Sequence, residues 1–146
     1  MYRHILIATG GAAHSQRAEA RAIGLAAALG ARLSVLSVMR LSEMTQGLGL
    51  AGEATSVPSD LLEGLRGRHE AILAEARARA RAQGLEPELV LESGSASRSI
   101  VGVAVERDCD LIVVGRRPLS ALGRAAVGSV SDYVNHQAAC DVLIVR

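Results

Sequence analysis

Five short runs dense in valine, isoleucine and leucine recur along the chain, at about residues 3–9, 32–38, 87–92, 110–115 and 141–146, separated by stretches of helical length. The runs are largely apolar throughout and do not alternate with polar positions, which is the pattern of strands covered on both faces. Strands of that kind joined by crossover helices form a parallel sheet. The expected class is therefore a doubly wound α/β fold, one five-stranded parallel sheet with helices on both faces.

The intervening segments carry helix signals. The first helix is expected to open at Ser15 as its cap, run through an alanine-rich stretch to Leu29 and stop at Gly30. The second begins near Ser59 and Asp60, after Pro58, and sets Leu61, Leu62, Leu65, His69, Ile72, Leu73 and Ala76 on one side with arginines largely on the other, ending at Gly84. A third is expected over about 97–107 and a fourth from Ser129 to near Ala138. Residues 40–58 show no period, and a loop of that length reads as a lid or a disordered segment, with Met44, Leu48 and Leu50 as its apolar grip.

In doubly wound sheets a ligand sits beyond the carboxyl ends of the strands, where the winding reverses. Periodicity does not give the strand order. With the order 3-2-1-4-5 the reversal falls between the first and fourth strands, and the turn Thr9-Gly10-Gly11 faces the turn that begins at Gly115.

A length of 146 residues, 49% hydrophobic content and a net charge of +1 describe a single domain, residues 1–146, with apolar material for one core. No charged-then-apolar leader and no apolar run long enough to cross a bilayer is seen, so a cytoplasmic protein without a membrane partner is expected. All sixteen basic residues are arginine. The missing lysine removes the phosphate-binding lysine of nucleoside triphosphatase loops, kinase-type lysines and Schiff-base chemistry. Two tyrosines are the only aromatic side chains, so stacking platforms for bases or flavins are scarce and nucleic acid is not an expected partner. Cys109 and Cys140 each precede an apolar run, and without metal-ligand spacing they read as small buried hydrophobes.

The segment GRRPLSALGRAAVGSVSDYV, residues 115–134, joins the fourth strand to the last helix through a basic, small-residue loop. Gly128-Ser129 opens a helix whose first-turn N–H groups lack internal partners and carry partial positive charge, a setting that suits phosphate. Ser129 with Asp132 also forms an acidic capping box, which by itself accounts for these residues. Arg116, Arg117 and Arg124 read either as bidentate phosphate donors or as a solvated basic loop. A search for reacting groups returns little. His4, His14, His69 and His136 show no metal-ligand spacing and no Gly-x-Ser-x-Gly elbow exists, so no catalytic residue and no metal ligand is assigned.

Along its whole length the chain resembles the universal stress protein family. HILIATGGAAHS is similar to the opening strand that typically ends in Asp-Gly-Ser, CDLIVVG to the fourth strand, and GSVSDYV followed by CDVLIV to the usual ending. Gly115, Pro118 and Gly128-Ser129 fall at the family spacing of Gly, two residues, Gly, nine residues, Gly-Ser. The resemblance implies a homodimer of doubly wound subunits, without settled enzymatic activity, acting in stress survival or regulation. It implies that ATP or AMP is the candidate ligand and that Thr9, Gly10, Val38, Gly115, Arg116, Arg117, Gly128, Ser129, Val130 and Ser131 line its site. It also implies that the last strand, through Val142, Leu143, Ile144 and Val145, pairs with its twin.

Two departures weaken the nucleotide site. Gly10 stands where the family carries the strand-one Asp, so the carboxylate that holds the nucleoside is absent. Pro118 replaces the middle glycine of the motif and has no N–H to donate. Each loss removes about 1–3 kcal/mol of binding, together roughly a hundredfold or more. The expectation is a non-enzymatic dimeric regulator with a degraded nucleotide site. The alternative is an ATP- or AMP-responsive switch. A third reading, an adenylating ATP pyrophosphatase, rests on the likeness of residues 9–15 to a Ser-Gly-Gly-x-Asp-Ser loop, but the run departs in length and lacks the Asp.

Overall fold

The computed structural model describes residues 1–40, 42, 58–117 and 129–146. Their elements are β1 His4–Ala8, α1 Ala13–Leu29, β2 Arg32–Arg40, α2 Ser59–Ala82, β3 Glu88–Gly94, α3 Ala96–Glu106, β4 Leu111–Gly115, α4 Val130–Gln137 and β5 Asp141–Val145. The strands form one parallel sheet, as the crossover pattern implied, in the order β3-β2-β1-β4-β5 that was supposed for the site.

Because successive strand residues face opposite sides, each strand feeds two cores. Ile5, Ile7, Leu33, Val35, Leu111 and Val113 pack against Ala18, Ala22, Ile23 and Ala26 of α1 and Leu73, Ala76 and Ala80 of α2. Leu6, Leu36, Val38, Val90, Ile112 and Val114 pack on the other face against Ile100, Val103 and Ala104 of α3 and Val134 of α4. Each fully buried Val, Leu or Ile contributes about 1.5–3 kcal/mol. The alanines of α1 let that helix lie close to the central strands. Cys109 and Cys140 join the second core as free thiols, and burial pushes the Cys109 thiol up to about 11.

Helix ends follow local chemistry. Gly30 closes α1 in the left-handed conformation (φ 64°), its N–H bonding the Ala26 carbonyl. Ser95 and Ser129 cap α3 and α4 by accepting from the N–H groups of Arg98 and Asp132. Ser15 does not cap α1. The cap position falls three residues earlier, at Ala12, and Ser15 is buried inside the first turn. Gly11 turns the chain at φ +81°, and the Gln16 side-chain amide returns to the Gly11 carbonyl, so the tight turn permits an earlier start than the serine suggested.

At the amino ends of the strands Asp110 accepts from the backbone N–H groups of Arg3 and His4, tying the start of β1 to the start of β4. Buried His4 reaches the Arg107 carbonyl through Nδ1 and the Ser34 hydroxyl through Nε2. β5 lies at a sheet edge with Val142, Leu143 and Ile144 half-buried and Val145 buried. Residues 41 and 43–57 of the expected lid, together with Pro118, Arg124 and Gly128, lie outside the described residues.

Candidate functional site

β1 and β4 pair only from Ile5–Leu111 to Ile7–Val113. Past that point they part. The Thr9 N–H follows β2 by donating to the Leu36 carbonyl (2.9 Å), while the Arg116 N–H follows β5 by donating to the Val145 carbonyl (2.8 Å). This divergence opens a crevice at the carboxyl ends of the central strands, where the winding reverses.

The crevice holds about 280 Å³, just under the range of small-molecule sites, roughly 300–1,000 Å³. Its floor is Ala8, Leu36, Val38 and Val114, and Ile100 and Ala96 of α3 supply one apolar wall. The first turn of α1 contributes Ala12, His14 and Ser15, and the start of α4 contributes Ser129, Val130 and Ser131. Thr9, Gly10, Gly115 and Arg117 stand at the two turns, which thus face one another as the sequence implied.

Of the residues expected at a nucleotide, Thr9, Gly10, Val38, Gly115, Arg117, Ser129, Val130 and Ser131 share this cavity. Arg116 does not line it, and its backbone N–H is bonded to the Val145 carbonyl of β5. Gly128 lies outside the described residues. Four polar lining residues stand outside the expected set: His14, Ser15, Arg40 and His69. Arg40 ends β2 beyond the last apolar position. His69 occupies an apolar position of α2, the signal that marks it, and its Nδ1 lies 2.7 Å from the Ser37 hydroxyl.

Among the described lining residues there is no carboxylate. The charged groups are Arg40 and Arg117, with His14 and His69 as the titratable ones. Burial, followed by Arg117, Arg17 and Arg40, holds the His14 imidazole below its ordinary value of 6.5. The hydroxyls are partly committed: Thr9 Oγ1 accepts from the Gly11 N–H (3.4 Å), and Ser129 Oγ accepts from the Asp132 N–H (3.3 Å) and pairs with Ser131 Oγ (3.0 Å). The wall therefore offers many donors and few acceptors, which is the complement of an anion. Among the described residues no group of His, Cys, Asp and Glu is placed to hold a metal, and no helix is long and apolar enough to cross a membrane.

A parallel sheet wound on both faces, with a crevice lined by Arg40 and Arg117 at its switch point, defines the class: a doubly wound α/β domain. The universal stress protein family matches residues 1–146, and the chain belongs to that family. The universal stress protein YxiE of Bacillus subtilis is 33% identical over 150 residues, all of both chains. A universal stress protein solved in complex with cAMP is 32% identical, with a TM-score of 0.75 over 99% of this chain and 97% of that one. UspA of Lactobacillus plantarum, 23% identical with a TM-score of 0.80 over 99% and 98% of the two chains, shares the fold.

Proposed function

We propose that this chain is a non-catalytic, homodimeric regulator that takes an adenine nucleotide in the crevice between β1 and β4, with a weak grip on ATP. The observation that carries this reading is the convergence of Thr9, Val38, Arg117, Ser129, Val130 and Ser131 on one cavity without a described carboxylate. The apolar floor suits a purine face, and the start of α4 with Arg117 suits a phosphate. The 32% identical relative in complex with cAMP supports the ligand class.

Gly10 supplies no side-chain carboxylate to accept from the free ribose diol of AMP or ATP, and no carboxylate stands among the described lining residues. Catalysis is not part of the proposal, because the described lining residues offer no nucleophile with an adjacent base and orienting group. Dimerisation is proposed through Val142, Leu143, Ile144 and Val145, since a parallel sheet that ends in an apolar edge strand is satisfied by a second copy.

Isothermal titration of nucleotide-stripped protein with cAMP, AMP and ATP tests the reading. Saturable heat with at least one adenine nucleotide, and weaker binding of ATP than of cAMP, is expected. Absence of heat with all three overturns it.

A further inference from the structure

Two thiols approach one another at the amino ends of β4 and β5, at the opposite end of the strands from the crevice. The strands run parallel with Leu111 beside Asp141 and Ile112 beside Val142. The Asp110 N–H still bonds the His4 carbonyl, so the sheet continues one step back, where Cys140 stands beside Asp110 and one residue along from Cys109. Strands about 4.8 Å apart, rising about 3.3 Å per residue, put Cα atoms at that offset about 5–6 Å from each other. The span of a disulfide is about 4.4–6.8 Å. Strict alternation would send the two side chains to opposite faces. It is broken at Cys109. The chain leaves α3 with Asp108 at φ 51° and the Cys109 N–H on the Ala104 carbonyl, and the thiol turns into the same core that Cys140, Val142 and Ile144 pack against. Burial is the main influence on the Cys109 thiol, and the strongest charge acting on it is Cys140, ahead of Asp110 next to it in the chain.

We infer that Cys109 and Cys140 form a redox site, in which a hydroperoxide converts the two thiols into an intramolecular disulfide between β4 and β5. Cys140 is half-buried at the start of the edge strand and is the sulfur an oxidant reaches, while Cys109 is 8% exposed and stands behind it as the resolving thiol. The Cys140 thiolate attacks one peroxide oxygen, forming an S–O bond as the O–O bond breaks, and the departing oxygen takes up the proton that Cys140 lost. The Cys109 sulfur then attacks the sulfenic sulfur. An S–S bond forms, the S–O bond breaks, and the hydroxide leaves as water with the Cys109 proton. Two electrons pass from the pair of sulfurs to the peroxide. Burial and then Asp141 push the Cys140 thiol up, as burial and then Cys140 push up Cys109, so the reaction is slow at neutral pH and answers sustained oxidant exposure. The bond closes the segment 109–140, which carries Arg117, Ser129 and Ser131 of the crevice and leads into β5.

Intact-mass spectrometry and maleimide labelling of the full chain, before and after hydrogen peroxide without denaturant, test this. The oxidised monomer is expected to be lighter by two hydrogen atoms, to have lost both maleimide-reactive thiols and to regain them with dithiothreitol. A proteolytic map should join Cys109 to Cys140. The oxidised chain should unfold at a higher urea concentration than the reduced one, because the bond restricts the unfolded state. Cys109→Ala should leave a sulfenic acid on Cys140 that dimedone captures, whereas Cys140→Ala should slow oxidation of buried Cys109 by about tenfold or more. Persistence of both thiols, oxygen added to them without loss of hydrogen, a disulfide joining two chains, or a lower urea midpoint after oxidation overturns the site. Those four outcomes are read on the unsubstituted chain, so they stand whether or not either variant folds.

Discussion

A β-carbon on Gly115 would sit 2.4 Å from the carbonyl oxygen of His14. The last residue of β4 and the first turn of α1 are therefore in backbone contact, and this closeness holds the two turns of the crevice together. Gly115→Ala is expected to displace the start of α1, to destabilise the protein by about 1–3 kcal/mol and to weaken nucleotide binding. Urea unfolding beside ligand titration checks both effects.

Gly10 is the opposite case. A β-carbon there meets nothing within 4 Å. Gly10→Asp should leave stability within about 0.5 kcal/mol. The new carboxylate accepts from a free ribose diol, so 5′-AMP and ATP should bind tighter by about tenfold to a hundredfold. Calorimetry of the variant and the unchanged protein with 5′-AMP and ATP measures the gain.

Binding should depend on pH through His14. Its folded value is lowered by burial, then by Arg117, Arg17 and Arg40, so the free protein keeps the ring neutral near pH 6.5. A bound phosphate favours the imidazolium and raises that value, so complex formation takes up a proton. Affinity should be flat above about pH 7.5 and rise as the pH falls through 6.5. His14→Gln should flatten the profile.

Acid should also act on the fold. Burial, followed by Arg32, lowers the His4 value below 6.5, so the unfolded chain binds more protons than the folded one as the pH drops below that point. Stability from the neutral His4 and His14 is present above 6.5 and declines beneath it. Thermal melts between pH 8 and 5 should show this decline, and His4→Asn and His14→Gln together should reduce it.

Glu19 is wholly buried in α1, and among the described residues only one of its oxygens is matched, Oε1 accepting from Arg79 Nε at 2.5 Å. Arg79 is 44% exposed, so solvent screens part of the pair. Arg79→Leu leaves a buried unpaired carboxylate and should cost about 1–3 kcal/mol. Glu19→Met combined with Arg79→Leu should cost less than Arg79→Leu alone. Denaturant unfolding of the three proteins measures the coupling.

The unbroken apolar runs marked the parallel strands, and Gly30, Gly84 and Ser129 marked helix ends, because each of those signals acts within a few residues. The facing of Thr9-Gly10 and Gly115-Arg117 was legible once the strand order was supposed. Ser15 misled, since a serine signals a cap by type while the turn at Gly11 decides where the helix begins. His69 and Arg40 were visible only as a polar residue on an apolar helix face and a charge after a strand. Their meeting depends on how α2 crosses β2, a relation between distant segments. Glu19 lay on the buried arc of Ala18, Ala22, Ile23 and Ala26, but its partner is 60 residues away.

The hydrogen bonds that separate at Thr9 and Arg116 belong to the main chain. The hollow they leave survives whatever side chains surround it, so its occupant can change, or be given up, without the chain having to find a new way to fold. Ligand choice and folding are thereby uncoupled in this molecule, with Gly115 as the junction where they still meet.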